Sequence, residues 1–272
     1  MQQFSISPKE MAASIVRNRS LILAMVKRDV IGRYRGSVMG ILWSFFNPLF
    51  MLAVYTFVFS MVFQARWNTA NDSKGGFALI LFAGLIVFNL FSECINRAPN
   101  TILSNVNYVK KVVFPLEILP WVTLGSVLFH AAISIIVWLI GYIVFFGMPH
   151  STALLFPIAI IPLLLFTMGI SWALASLGVY LRDVSQVVGI ITTVLMFLSP
   201  IFYPATAIPA NIRPVLLLNP IAPIIEQARD LLFFGKIPSL LIWAASLIIA
   251  SIAAWLGFAW FQKTRKGFAD VL

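Results

Sequence analysis

Long apolar runs without a charged residue dominate the chain. A membrane-spanning helix needs about 20 consecutive apolar residues, whereas the strands of a membrane barrel alternate over about ten. Because the runs are continuous, they predict six transmembrane α-helices, of which the second is short: Met39–Phe63, Phe77–Ser92, Ile118–Phe146, Leu154–Tyr180, Val184–Tyr203 and Ser239–Phe261. Only Leu181-Arg182-Asp183 separates the fourth run from the fifth, which predicts a tight helical hairpin.

The polar segment before the first span carries helix signals of its own. Ser7-Pro8-Lys9-Glu10 has the pattern of a capping box with proline at the first helical position. Beyond it, Leu21, Ile22, Met25 and Val26 fall on one helical arc, and Lys27 and Arg28 on another. We expect an amphipathic helix lying in the cytoplasmic interface, with its apolar face in the acyl boundary. The alternative is an ordinary basic flank that only sets topology. Since the first apolar run starts only near Met39, we expect no cleavable signal peptide.

Two of the connections are too long and too patterned to be simple turns. Residues 93–117 mix asparagines, lysines and aromatics beside Pro115, which suggests a short docking helix or, alternatively, a solvated loop. Residues 204–238 contain a helix pattern that starts at Pro223 and stops at Gly235. Its apolar residues favour a re-entrant gate between the fifth and sixth spans, in which Glu226 and Arg229 pair one turn apart. A lateral amphipathic helix without a gating role is the alternative.

Composition supports the membrane assignment. Of the 272 residues, 61% are hydrophobic and 10% are charged, against roughly 25% charged in soluble domains. We therefore predict an all-α integral membrane protein with a single permease-like domain over 1–272. It comprises an interface helix region (1–38), a six-helix membrane domain (39–261) and a cytoplasmic tail (262–272).

The basic residues cluster on one side of this topology. Fourteen of the 19 Lys and Arg flank one side of the predicted spans and five the other. The positive-inside rule then places both termini in the cytoplasm. Because topology explains these charges, the net charge of +10 does not indicate nucleic-acid binding. The single cysteine, Cys94, leaves no disulfide framework.

Several kinds of chemistry are missing from the sequence. It has no Gly-x-x-x-x-Gly-Lys-Ser/Thr phosphate loop and no His-Glu-x-x-His zinc motif, and the predicted spans contain no charged residue. Ion-coupled carriers typically place ionisable groups in their spans. We therefore expect no catalytic residue, no metal and no cofactor in this chain, and a separate motor that drives it.

Aromatic side chains concentrate in the first and fifth spans. Sugar rings stack their C–H faces on aromatic rings, and a tyrosine adds a hydroxyl group. This pattern makes five residues candidates for lining a glycan channel: Tyr55, Phe59, Phe197, Phe202 and Tyr203. Lipid-facing bulk and an interfacial aromatic belt remain the alternative.

Several motifs together resemble the ABC-2 type permeases that export O-antigen, capsule and teichoic-acid chains. RYRGSVMGILWSFFNP (33–48) is similar to the start of that family's first span, and NYVKKVVFP (107–115) followed by EILP (117–120) to its cytoplasmic loop. LRDVSQ (181–186) through SPIFYP (199–204) resembles its fifth helix. Asn219-Pro220 with the helix to Gly235 resembles its external gate. The resemblance covers nearly the whole chain in order.

The resemblance implies a bacterial inner-membrane permease that works as a homodimer above two copies of a separate ATPase subunit, which binds ATP and magnesium. The cargo would be polysaccharide on undecaprenyl diphosphate, most often O-antigen. Arg33 and Arg35 would attract the diphosphate, although topology alone would also place them there. The ATPase subunit would contact the interface helix and the cytoplasmic loop, at Asn105, Asn107, Tyr108, Lys110, Lys111 and Phe114.

Two other functions stay open from the sequence. A drug or small-lipid exporter of the same superfamily fits the same topology. A membrane-embedded glycosyl- or phospho-transferase would need acidic or histidine clusters at the membrane face, and the sequence has none. Which glycan is moved cannot be read from the residues.

Overall fold

The computed structural model describes residues 5–58, 74–110, 114–204 and 219–272, and this part of the chain is helical without a β-strand. We number the α-helices in chain order. They are α1 Pro8–Arg17, α2 Arg19–Arg33, α3 Trp43–Tyr55, α4 Lys74–Arg97, α5 Val106–Lys110, α6 Leu119–Phe146, α7 Phe156–Ala159, α8 Ile161–Tyr180, α9 Val184–Leu198, α10 Ala222–Arg229, α11 Leu240–Thr264 and α12 Phe268–Val271.

Five helical stretches in the described residues are long and apolar enough to cross a bilayer. They are Gly40–Val58, Gly75–Asn100, Leu116–Phe146, Ser151–Tyr180 and Leu240–Val271. The fifth predicted span is shorter than expected, because α9 ends at Leu198 instead of continuing to Tyr203. Ser199 is extended, with ψ at 145°, as expected for a residue before a proline. The 15 residues of α9 rise only about 22 Å.

The second span is longer than its apolar run. We predicted Phe77–Ser92, but α4 continues to Arg97. Glu93 and Arg97 are one turn apart on this extension, with 3.7 Å between the Glu93 carboxylate and the Arg97 guanidinium. The apolar run alone therefore predicted too short a helix. The last turn of α4 is charged, and it lies at the cytoplasmic end of the predicted topology.

Helix α4 forms the centre of the bundle. About 83% of its most apolar stretch is buried inside the protein, against 11% for the first span and 17% for the last. Helices α3, α6, α8, α9 and α10 all contact it. The indole Nε1 of Trp138, itself fully buried on α6, donates to the carbonyl oxygen of Leu79 at 2.8 Å.

Helices α8 and α11 pack backbone to backbone. A Cβ atom at Gly257 would lie 1.9 Å from the carbonyl oxygen of Gly169, and one at Gly169 would lie 2.4 Å from that of Ala253. Small residues allow this close approach, which is how membrane helices associate where burial from water supplies no driving force.

The N-terminal region folds as two helices against the bundle. The backbone N–H of Glu10 donates to Ser7 Oγ at 3.1 Å, as the cap signal predicts, but the Glu10 carboxylate pairs with Arg17 instead of closing the capping box. The expectation for the second helix was wrong in one respect: Met25 is buried in the protein, and Val26 packs over Gly125 of α6. This apolar arc faces the bundle because Gly125, which has no side chain, leaves room on α6 for Val26.

Candidate functional site

A buried arginine organises the segment after α9. Arg229 ends α10 and is 1% exposed. Its Nε donates to the carbonyl oxygen of Ile80 at 3.1 Å and its Nη2 to that of Ile201 at 2.6 Å, while Nη1 donates to Pro200 O and to the Glu226 carboxylate. The predicted Glu226–Arg229 pair is therefore formed, at 3.1 Å. The same guanidinium also joins α10 to α4 and to the turn after α9.

The helix predicted between Pro223 and Gly235 is present, although α10 itself ends at Arg229 and a π-helical stretch continues it to Phe234. Pro223 lies in the first turn, and Gly235 closes the segment in the left-handed region with φ at 66°, after one π-helical stretch over Asp230–Phe234. Before it, the Asn219 amide donates to Ser199 Oγ at 2.8 Å and accepts from the N–H of Ile221. The apolar residues that favoured a re-entrant element are buried against the bundle: Ile224, Ile225, Leu231, Leu232 and Phe233.

Three of the five predicted channel aromatics lie together at the end of α9. Phe197 is 61% exposed and stacks on Phe202 with 6.0 Å between ring centroids. The Tyr203 hydroxyl donates to the carbonyl oxygen of Phe197 at 3.0 Å. We call Phe197, Phe202 and Tyr203 the α9 aromatic cluster. Tyr55 is placed elsewhere, on the wall of a cavity between α3, α4 and α6, and Phe59 lies outside the described residues.

The two arginines predicted to meet a diphosphate differ in environment. Both are exposed, but among the described residues only Arg33 of the two forms an ion pair: its Nη1 donates to the Glu93 carboxylate at 2.6 Å. Arg97 in turn donates to Asp29 at 2.7 Å. Burial raises the pKa of Asp29, but the hydrogen bond and charge of Arg97 outweigh it and hold that pKa below its ordinary value. Arg33 is thus partly neutralised by a four-residue ionic cluster that joins α2 to α4.

The loop predicted to be cytoplasmic forms a short helix, α5, that packs on its own chain. The Tyr108 hydroxyl accepts from Arg28 at 2.9 Å, and its ring stacks on Phe114 at 4.4 Å. Lys110 Nζ donates to the carbonyl oxygen of Leu272. Asn105 donates to Thr101 O at 2.9 Å, while Asn107 and Lys110 are exposed; Lys111 lies outside the described residues.

A buried ion pair that sequence reasoning missed fixes the end of this loop. Arg265 Nη1 donates to Glu117 Oε2 at 2.6 Å, and its Nη2 donates to the carbonyl oxygen of Phe114 at 2.6 Å. Both side chains are largely buried, at 12% and 6% exposed. Nothing in the local sequence predicts a contact between residues 148 positions apart. The sequence shows only that each of the two charged residues lies beside an apolar run. The described residues hold no group of three or more potential metal ligands.

Comparison with known proteins agrees with this architecture. The model of the ABC-2 type transporter family matches residues 20–233, and the chain belongs to that family. The resemblance drawn from the motifs is therefore confirmed.

Curated proteins are similar in sequence to this chain over most of their length. The chain is 27% identical over 254 residues to the O-antigen export system permease protein RfbA of Myxococcus xanthus, covering 93% of this chain and 95% of the relative. It is 28% identical over 256 residues to the protein of the same name in Klebsiella pneumoniae, with the same coverage. The polysialic acid transport protein KpsM of Escherichia coli is 26% identical over 221 residues, which cover 79% of this chain and 81% of KpsM.

Proposed function

We propose that this chain is the permease subunit of an ABC transporter that exports a polysaccharide, of the O-antigen class, across the bacterial cytoplasmic membrane. The observation that carries this proposal is the end-to-end similarity to O-antigen export permeases, which spans 95% of their length. More distant similarity to capsule export proteins of Escherichia coli and Neisseria meningitidis favours the same cargo class. The cargo travels on a polyprenyl diphosphate, and a separate ATPase subunit drives it.

The working unit is a homodimer with six spans per chain and both termini in the cytoplasm. The outward sides of α3 and α9 support the dimer, because both are apolar and exposed on the single chain. Their exposed residues include Phe50, Met51 and Val54 on α3, with Phe57 just beyond its end, and Val187, Ile190, Ile191, Val194 and Phe197 on α9. In the dimer these faces border the pathway, and the segment from 205 to 235, of which 205–218 lie outside the described residues, closes it on the outside.

Deletion of the gene tests the proposal. Surface polysaccharide should disappear, lipid-linked polysaccharide should accumulate inside, and a plasmid copy should restore export. Unchanged surface polysaccharide together with raised sensitivity to a small lipophilic drug would instead identify a drug exporter. A tag at the C-terminus should resist protease added to intact spheroplasts, and digestion of that tag would contradict the proposed topology.

A further inference from the structure

A polar cavity lies within the protomer, apart from the α9 aromatic cluster. Its volume is about 310 Å³, and its wall is formed by the end of α2 with α3, α4 and α6. Polar residues on that wall include Arg33, Asn47, Tyr55, Asn89, Glu93 and His130. Polar groups are expensive within a membrane domain and commonly mark a functional site.

Asn89 stands out from the helix that carries it. Every residue of α4 from Gly75 to Phe91 is buried except Asn89, which is exposed and lines the cavity. Asn47 on α3 is also exposed and lines the same space. An asparagine amide offers two donors and an acceptor. Two amides therefore present both kinds of hydrogen-bonding group to one cavity.

His130 is a further polar residue on this wall. Its Nδ1 lies 3.4 Å from the Tyr34 hydroxyl, and the two rings meet edge to face at 5.8 Å. Its Nε2 is buried and has no hydrogen-bond partner among the described residues. Because Nε2 is covered by neighbouring atoms, His130 adds to the polar character of the wall without offering this nitrogen to the cavity.

The charges on the wall compensate one another. Arg33 and Glu93 pair at 2.6 Å. Among its described residues, the wall therefore presents no unpaired cation to an anionic ligand and no unpaired carboxylate to a cationic ligand. The remaining groups are neutral amides, hydroxyls and an imidazole. Sugar hydroxyls both donate and accept, and the C–H face of a sugar ring can stack on an aromatic ring such as that of Tyr55.

We propose that this cavity binds one sugar ring of the exported chain in each protomer, through neutral hydrogen bonds from Asn47 and Asn89. Its volume lies at the lower end of small-molecule sites, which suits a single ring. The proposal rests on the proposed function and adds to it a sugar site that shares Tyr55 with the aromatic candidates.

The first experiment removes hydrogen bonds while keeping side-chain size. Asn89→Leu and Asn47→Leu should each lower surface polysaccharide, normalised to permease abundance, by about tenfold, as expected for one or two lost hydrogen bonds. Asn100→Leu is the matched control, since this exposed amide follows α4 and lies outside the cavity. Normal export by the Asn89→Leu/Asn47→Leu double variant would overturn the proposal.

The second experiment reports occupancy directly. Asn89→Cys is combined with Cys94→Ala, so that the introduced thiol is the only one in the chain. This variant is labelled with a small maleimide in cells. Labelling should be slower in cells that make the polysaccharide than in cells that lack its first glycosyltransferase. An Asn100→Cys reference, outside the cavity, should label equally in both. Equal labelling of the Asn89→Cys variant would contradict a site filled by cargo.

Soluble probes separate a sugar from a diphosphate in the purified permease–ATPase complex. Polysaccharide released from its lipid by mild acid should slow labelling of the Asn89→Cys variant, and inorganic diphosphate should not. If inorganic diphosphate alone protects the thiol, the cavity binds the headgroup of the lipid carrier and not a sugar, and the proposal is overturned. Loss of surface polysaccharide on gene deletion establishes the exporter separately, so failure of the sugar site and failure of the proposed function give different results.

Discussion

The guanidinium of Arg229 donates from Nε to the carbonyl oxygen of Ile80 at 3.1 Å, from a side chain that is 1% exposed. This contact crosses 149 positions of sequence and fastens the segment after α9 to the most buried helix of the bundle. A buried charge is tolerated only where it is paired and hydrogen-bonded, and Arg229 meets that condition with three backbone carbonyls and one carboxylate.

Replacing Arg229 should therefore destabilise the protein. Arg229→Met keeps much of the side-chain volume but leaves buried carbonyl oxygens without donors, each at a cost of about 1–3 kcal/mol. We expect the melting temperature in detergent to fall by at least about 5 °C. Arg182→Met is the matched control, because Arg182 is exposed in the turn between α8 and α9 and its replacement should change little. Equal melting temperatures for the two variants would show that the arginine contacts contribute no stability.

The α8–α11 contact should not tolerate side chains. Gly257→Val forces α11 away from the carbonyl oxygen of Gly169, and overpacking of this kind typically costs about 1–3 kcal/mol or more. We expect a lower melting temperature and less protein in the membrane. Gly189→Ala on α9 is the matched control, since a Cβ atom there meets nothing within 4 Å and alanine favours the helix. Wild-type abundance of Gly257→Val would contradict the backbone contact.

The exposed edge of α5 should touch the ATPase subunit. Asn107→Cys is expected to crosslink to a cysteine on that subunit with a short bifunctional reagent, because Asn107 is exposed at the cytoplasmic end of the predicted topology. Ser151→Cys, on the opposite side, serves as the control and should not crosslink. If the complex purifies intact and Asn107→Cys never crosslinks, the loop is only a connector.

The aromatic residues should act on the cargo more than on folding. Tyr55→Ala/Tyr203→Ala should lower normalised surface polysaccharide by about tenfold, because stacking and hydroxyl contacts with sugar rings are lost, while permease abundance stays near wild type. Trp260→Ala on α11, 48% exposed, is a control for loss of a surface ring.

A different outcome for the double variant would identify packing instead. Truncating a packed aromatic costs about 3–5 kcal/mol in soluble cores, so a fall in abundance with unchanged export per molecule would assign these rings to the core. Full normalised export would remove them from the pathway and leave the exporter function untouched.

Local patterns were sufficient for the helices and their approximate ends. Continuous apolar runs placed the spans because a bilayer requires backbone pairing within each segment. The hairpin at Leu181–Asp183 and the stop at Gly235 followed from chain length and from glycine's access to positive φ. Helix α9 ended early because the restriction imposed by Pro200 outweighed the apolar character of Ile201 to Tyr203.

By itself, the sequence determined the membrane class, the approximate spans and the family, since these depend on composition, run length and motifs that are local. Only the tertiary structure decided which groups meet: Arg229 with Ile80, Arg265 with Glu117, and Asn89 with His130 on one cavity wall. It also decided that the apolar arc of α2 packs on α6. Such contacts join positions far apart in the chain, and they depend on how whole helices pack, which no local pattern encodes.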